Sequence, residues 1–362
     1  MTSEYLSVLL SQINLSQLDK IQEEAAKQNQ KDYTNIRQLL ENLNLEDWKG
    51  ALEVSLDLDQ IQKTFGSYIS ETSKKQLTTL GGKLQLTGSL QGKSNGLIEI
   101  SEKFLLDQLH LAGEIKSADT QESKPYKIDL SQIAQHFKIE SDLKKRQLTT
   151  DFQWTITDDQ KAQLLQIVNN SDIQKLFEDQ SLLQLNKLEN KIALNFEVLN
   201  HVLADFIPKT TSMKGQLDNQ DTLSYKASDG LLMKGKTDLT LQVLSPESKD
   251  LPLLKITSLR NLKIGFDEKN QMNQIQIDQF NLDTQENKAL SLSSAGVLNL
   301  NETQAQSILL KLAVHFKELE PYLNPFLPQI KLDGEIIHQT TIAKSQEGIK
   351  IEAEGHLNSF FV

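Results

Sequence analysis

The sequence predicts a mainly β protein with interspersed helices, arranged as an elongated antiparallel β-groove of repeated helix-plus-meander units. Three observations predict it. Apolar and polar residues alternate through most of 50–157 and 190–300, the period of strands that bury one face. Three stretches, beginning at Gln38, His201 and Glu318, repeat one arrangement: an amphipathic helix, a joint bearing Trp or Pro, a glycine, then an alternating strand. The glycines are Gly50, Gly215 and Gly334. Finally, only 38% of the 362 residues are hydrophobic and 6% aromatic. That is thin for one compact core and suits strands that each bury a single side.

Residues 3–27 and 30–43 read as helices, the second carrying Ile36, Leu39, Leu40 and Leu43 at helical spacing. From Ala51 the period changes to two: Leu52, Val54, Leu56 and Leu58 alternate with Glu53, Ser55, Asp57 and Asp59. Strands follow at Leu84-x-Leu86-x-Gly88-x-Leu90, at Leu109-x-Leu111-x-Gly113-x-Ile115, and up to Trp154 and Ile156. Turn residues separate them at Gly81-Gly82, Gly92–Gly96 and Lys116–Pro125. With no helical segment between them, they favour a meander over parallel units.

Residues 158–187 read as helix, with Thr157 or Asp158 and then Ser171 as caps. A second β block follows: Ile192–Val198, Leu239-Leu241-Val243, Leu262-Ile264-Phe266, Ile275-Ile277, Leu290-Leu292 and Val297–Leu300. Asn301 with Gln304 forms a capping-box variant before a stripe of Ala305, Ile308, Leu309, Leu312, Ala313, Phe316 and Leu319, which predicts a helix over 302–319 ended by Pro321. A final hairpin pairs Ile330, Leu332, Gly334 and Ile336 with Ile349, Ile351 and Ala353. The segments are therefore a helical 1–48, a β module at 49–157, a helical insert and joint at 158–213, a β module at 214–300, and a helix plus hairpin at 301–362.

Charge narrows the partners. There are 49 acids against 38 bases, a net charge of −11. Such a surface repels phosphate backbones, so nucleic acid is not an expected partner. Without cysteine there are no disulfides, thiolate metal sites or Cys nucleophiles. The first twenty residues lack a basic n-region and a continuous apolar stretch. The chain ends on Phe360-Phe361-Val362 directly after an alternating strand. It reads as an internal portion of a longer protein whose export signal or anchor lies elsewhere.

Catalytic patterns are sparse. Gly88–Ser94 is one residue short of a phosphate loop and runs into a strand, so it reads as a turn. The six histidines lack metal-ligand spacing; His110 falls on a polar strand face and His315 beside the helical stripe. Glu53, Asp57 and Asp59 share one predicted face, which reads as a charged edge rather than a calcium cage. Asp158-Asp159 reads as a helix N-terminus. No enzyme and no cofactor is expected.

The remaining signal is the apolar strand face itself. It either packs closed, on a second sheet or on helices, or lines a groove for an apolar ligand. The residues that would line such a groove are Leu84, Leu86, Leu90, Leu109, Leu111, Ile115, Leu239, Leu241, Val243, Ile275, Ile277, Leu290 and Leu292. A closed structural or protein-binding module is the alternative, with strand edges open to β-addition. An enzyme with dispersed residues is a third reading.

The units Leu84–Leu90, Leu109–Ile115 and Ile330–Ile336, and the Pro-punctuated helix running into a strand at Tyr322–Ile336, resemble the AsmA/TamB-like family of bacterial envelope proteins over 49–362. The resemblance implies a half-open β-groove, apolar inside, that carries phospholipid acyl chains between the inner and outer membranes. It further implies a periplasmic location in a Gram-negative envelope and membrane-anchored envelope proteins as partners. The chain departs from the family in lacking an N-terminal anchor. A second likeness, around Lys249–Leu282, is to the YdgA-like periplasmic proteins.

Overall fold

A computed structural model describes residues 47–361, apart from 69–70, 117–122, 176–183, 208–210, 227, 245–252, 268–270, 285–288, 302–305, 324–330 and 347. The helices expected over 3–27 and 30–43, Gln304 and Ile330 lie outside the described residues. Among the described ones, fifteen strands form an open antiparallel sheet whose order in space is the order in sequence. The mainly β, antiparallel expectation holds. The chain divides into two compact units. One runs to Asn186 and includes Val202–Phe206; the other comprises Lys187–His201 and Ile207 onward.

In the first unit, β1 (Trp48–Asp57), β2 (Thr79–Gly92), β3 (Leu97–Lys116), β4 (Ser123–Asp142), β5 (Gln147–Asp158) and β6 (Gln163–Gln174) pair successively. The Gly92–Gly96 region is a hairpin turn, as its composition suggested. The Lys93 N–H donates to the Leu97 carbonyl at 2.8 Å and the Gly96 N–H to the Lys93 carbonyl at 2.8 Å.

Two short helices follow β1. Helix α1 (Leu58–Phe65) is capped by Asp57, whose carboxylate accepts from the Gln60 N–H at 3.0 Å. It begins where β1 stops and leaves the start of β2 without a strand neighbour on that side. Gln62 serves that edge instead: its amide donates to the Thr78 carbonyl at 2.7 Å and accepts from the Leu80 N–H at 2.9 Å. A side-chain amide thus pairs the edge groups that another chain could otherwise use. Asp59 lies in this helix, not on the strand face with Glu53, and accepts from the Gly82 N–H at 3.2 Å. Helix α2 (Glu71–Gln76) lays the Gln76 carbonyl over Gly113, where it accepts from the Tyr126 hydroxyl at 2.9 Å. A side chain at Gly113 would strike that carbonyl.

Two helices expected from the sequence are strands instead. Over 163–174 the chain is β6, pairing Leu165 with Ile156, Ile167 with Trp154 and Ile173 with Leu148. Asp158 is not a helix N-terminus: it closes the β5–β6 turn, accepting from the Gln160 and Ala162 amides at 3.0 and 2.7 Å. The stripe at 302–319 is mostly β13 (Ser307–His315), pairing with its neighbours at Leu292–Leu312 and Ile308–Ile342. Both segments carry short apolar runs whose spacing fits either period, and neighbouring strands decide the outcome. Helix α3 (Phe316–Leu323) starts only afterwards, with Pro321 inside it rather than ending it.

In the second unit the strands are β7 (Gln184–Asn195, all but its first three residues), β8 (Ser212–Lys226), β9 (Gly230–Leu244), β10 (Leu254–Phe266), β11 (Met272–Thr284), β12 (Leu290–Asn299), β13, β14 (Asp333–Ser345) and β15 (Gly348–Phe361). The strand expected over Ile192–Val198 ends at Asn195, whose side chain accepts from the Glu197 and Val198 amides and turns 196–202 into a helix. Val297–Leu300 is not a separate strand from Leu290-Leu292; β12 runs through both to Asn299.

Gly215 in β8 has φ +116°, and a β-carbon there would collide with the Thr240 carbonyl of β9. Gly215→Ala is expected to cost on the order of 3 kcal/mol. A thermal melt checks this, and an unchanged midpoint would show that β8 can shift to make room.

Candidate functional site

In an antiparallel pair, residues directly opposite one another share a face. In the first unit this rule joins Leu84 to Leu56 and Leu106, Leu86 to Val54 and Phe104, and Leu90 to Gly50 and Ile100. It joins Leu109 to Leu130 and Leu111 to Leu80 and Ile128. Ile115 lies further along the same face, opposite Lys124. The six residues picked in this half therefore share one side of β2 and β3.

Their common side depends on a bulge. Leu106 and Leu109 are three apart, so simple alternation would set them on opposite faces. Gln108, at φ +54°, is the extra residue, and Gly82 of β2, at φ +127°, lies against it. Strand β4 slips at the matching place: Ile133 faces Leu106, Leu130 faces Leu109, and Ser131 is extra against β5. The paired slips keep Leu106, Leu109 and Leu130 together, and at 7–8% exposure they are the best-buried strand leucines of β2–β4. Alternation alone missed Phe104 and Leu106, and it missed β4 altogether. The signal was present as a one-residue change of phase in Phe104-x-Leu106-x-x-Leu109 and Ile128-x-Leu130-x-x-Ile133.

Elsewhere this face is open. Leu52, Leu84, Leu86, Leu90 and Phe104 are half-buried, Ile100 is exposed, and no large side chain among the described residues is fully buried. A hollow of about 290 Å³ lies on it, lined by Leu52, Leu86, Leu90 and Ile100, with Glu102 at its border. Two glycines make the hollow. Gly50 opposes Leu90 and Gly88 opposes Leu52, so two missing side chains sit on a diagonal of the β1–β2 ladder. Gly88 is not needed for backbone reasons: a β-carbon there would meet Leu52 Cβ at 3.6 Å, an ordinary contact.

In the second unit, Leu239 faces Leu217 and Ile256, Leu241 faces Gly215 and Leu254, and Val243 faces Met213. Ile275 faces Ile264 and Leu298, and Ile277 faces Leu262 and Gly296. Leu292 faces Leu282 and Leu312, and Leu290 faces Val314. Strand β11 carries one extra residue between Ile277 and Phe280 against both neighbours, which stay in step across it, so all seven share one face; Leu239 and Ile277 sit next to a polar island that the sequence did not disclose.

The island centres on Arg260. Its Nε donates to Asp221 Oδ1 at 3.1 Å and Nη2 to the same oxygen at 2.7 Å. Nη2 also donates to Asn219 Oδ1 at 3.0 Å, and Nη1 to Thr237 Oγ1 and Ser258 Oγ at 2.9 and 3.1 Å. The guanidinium's five donors are thus all spent. Gly235, opposite both Asp221 and Arg260, leaves the space; a β-carbon there would overlap the Asp221 carboxylate. The stretch Ile256-x-Ser258-x-Arg260-x-Leu262-x-Ile264 shows apolar ends around a polar middle, yet nothing in it says that the arginine's face is the apolar one until the register is known.

The opposite face of the first unit is polar and laddered. Ser89 and Ser101 hydroxyls lie 2.7 Å apart, Gln91 donates to Glu99 at 3.0 Å, and His110 meets Asp129 at 2.7 Å. His110 is thus a strand residue with a carboxylate partner. His315, at the end of β13, lies 3.3 Å from Glu335. No described helix is long and apolar enough to cross a membrane. No protein-family model, curated protein or solved structure matches the chain.

Proposed function

We propose that the apolar sheet face binds the acyl chains of phospholipid, and that the protein serves as a non-enzymatic lipid conduit between the membranes of a bacterial envelope, acting in the periplasm. The observation that carries this reading is the hollow at Gly50 and Gly88. It is apolar, half-open and lined by Leu52, Leu86 and Leu90, which stay half-buried among the described residues, unlike Leu106, Leu109 and Leu130 further along the same face. Hydrophobic surface left in water is unfavourable by roughly 25 cal/mol per Å², and a hydrocarbon chain laid along the strands would relieve it. At about 290 Å³ the hollow lies at the small end of ligand sites.

A helix-plus-meander groove is part of the same reading. Helix 196–202 precedes β8 and Gly215, and α3 precedes β14 and Gly334, which supports units of one design. The likeness to AsmA/TamB-like proteins points the same way. The closed-module alternative predicts large side chains sealed between layers, and the described residues offer little support for that.

Mass spectrometry of gently purified protein tests the proposal. Co-purifying phospholipid is expected. Protein that emerges free of lipid, and takes up none from vesicles, would exclude the conduit.

A further inference from the structure

We infer that the hollow selects amphiphiles whose polar end carries an ammonium group, and that Glu102 makes the selection. The inference rests on the reading of this face as a hydrocarbon site.

Glu102 stands mid-strand in β3, opposite Gly88 on one side and Phe137 on the other, so it shares the apolar face. Its neighbours along that face are Ile100 and Phe104. It borders the hollow itself. The side chain is exposed, and among the described residues it has neither an ion pair nor a side-chain hydrogen bond. Several other carboxylates of this unit are engaged: Asp129 with His110 and Lys127, Glu99 with Gln91 and Lys138, Asp158 with two turn amides; among the described residues Glu53, like Glu102, is not, but it stands on the polar face.

On β1–β6, the other charged residues whose register sets them on this face are Lys124 and Asp158. Lys124 lies thirteen positions along β4 from Phe137, roughly 40 Å at the rise of a strand. Asp158 is buried in its turn. Among the described residues of this face Glu102 therefore has no neutralising neighbour, and nothing in the sheet's own stability calls for an acid among Ile100, Phe104 and Phe137. A chain lying in the hollow brings its polar end to this carboxylate. An ammonium there gains a charge-assisted hydrogen bond; a carboxylate or sulfate is repelled. The ligand class is thus an alkylammonium or a zwitterionic lipid bearing a primary amine.

Binding is measured at pH 7, below micellar concentrations, for dodecylammonium, dodecanoate and neutral dodecanol, on the wild type and on Glu102→Gln. The wild type should bind dodecylammonium over dodecanoate by about fivefold beyond the ratio seen in Glu102→Gln, the upper end of what a solvent-facing charge pair contributes. Glu102→Lys should reverse the order. Comparing wild type with Glu102→Gln removes the general pull of a net charge of −11, which both proteins nearly share. Equal ratios in the two proteins, with dodecanol bound by both, would overturn the role of Glu102 and leave the hydrocarbon site standing. Failure of all three chains to bind would instead bring down the site itself. A parallel pair, lysophosphatidylethanolamine against lysophosphatidylglycerol, separates the two sources. A preference there identifies a lipid headgroup; a preference confined to dodecylammonium identifies a simple amine.

Discussion

Arg260→Met is expected to lower the melting temperature of the second unit by roughly 5–10 °C, from a loss of about 2–3 kcal/mol. The arginine holds Asp221, Asn219, Thr237 and Ser258 across three strands. Its side chain is 15% exposed and that of Asp221 28%, so the pair is too shielded to be ignored and too open for the full penalty of a buried ion. Removing the cation leaves a carboxylate with only the neutral Asn219, Thr237 and Ser258 beside it on a largely apolar face, with Gly235 giving it no cover. The diagnostic partner is Arg260→Met combined with Asp221→Leu. Taking out both charges removes the orphaned carboxylate, so the double variant should be more stable than Arg260→Met alone. If calorimetry finds the double variant lower still, the island holds the strands through its hydrogen bonds, and the charge pair is incidental.

Gly88→Leu carries the largest expected effect on ligand. A leucine at this position fills the hollow with its own side chain, and its β-carbon meets only ordinary contacts. Bound phospholipid in the first unit should fall several-fold while the melting temperature stays level or rises, since exposed apolar surface is covered from within. The contrast with Gly215→Ala matters: two glycines of the same sheet should respond oppositely, one because its backbone needs glycine, the other because its emptiness is the site. Full lipid content in Gly88→Leu would remove the hollow from any lipid path.

Much of the fold was legible because a strand with one wet face writes its period into the sequence. Leu84–Leu90 and Leu239–Val243 are plain cases. β6 and β13 were not legible, since runs such as Ile308-Leu309-Leu310 satisfy helical and strand spacing alike and only the neighbouring strands choose. The bulges at Gln108 and Ser131 broke the period in the middle of two long strands and hid half of β3 and the whole of β4. Of the candidate site, the leucines could be picked by alternation. The hollow could not, because Gly50 and Gly88 become neighbours only through the Leu52–Gly88 register. Glu102 and Arg260 were invisible for the same reason: a charge declares itself misplaced only once the side it stands on is known.

Strand pairing that follows sequence order has a kinetic consequence. The registers observed from β1 to β6 and from β8 to β15 join each strand to the one synthesised just before it. The hairpin of β2 and β3 closes through four residues, a cheap loop. Such a chain can zip hairpin by hairpin as it leaves the ribosome, without waiting for a distant segment, and its folding rate should resemble that of repeat proteins more than that of sandwiches with long crossovers. The same locality frees the length of the ladder: a hairpin duplicated or lost at one point changes the pairing of its immediate neighbours and leaves the rest in register.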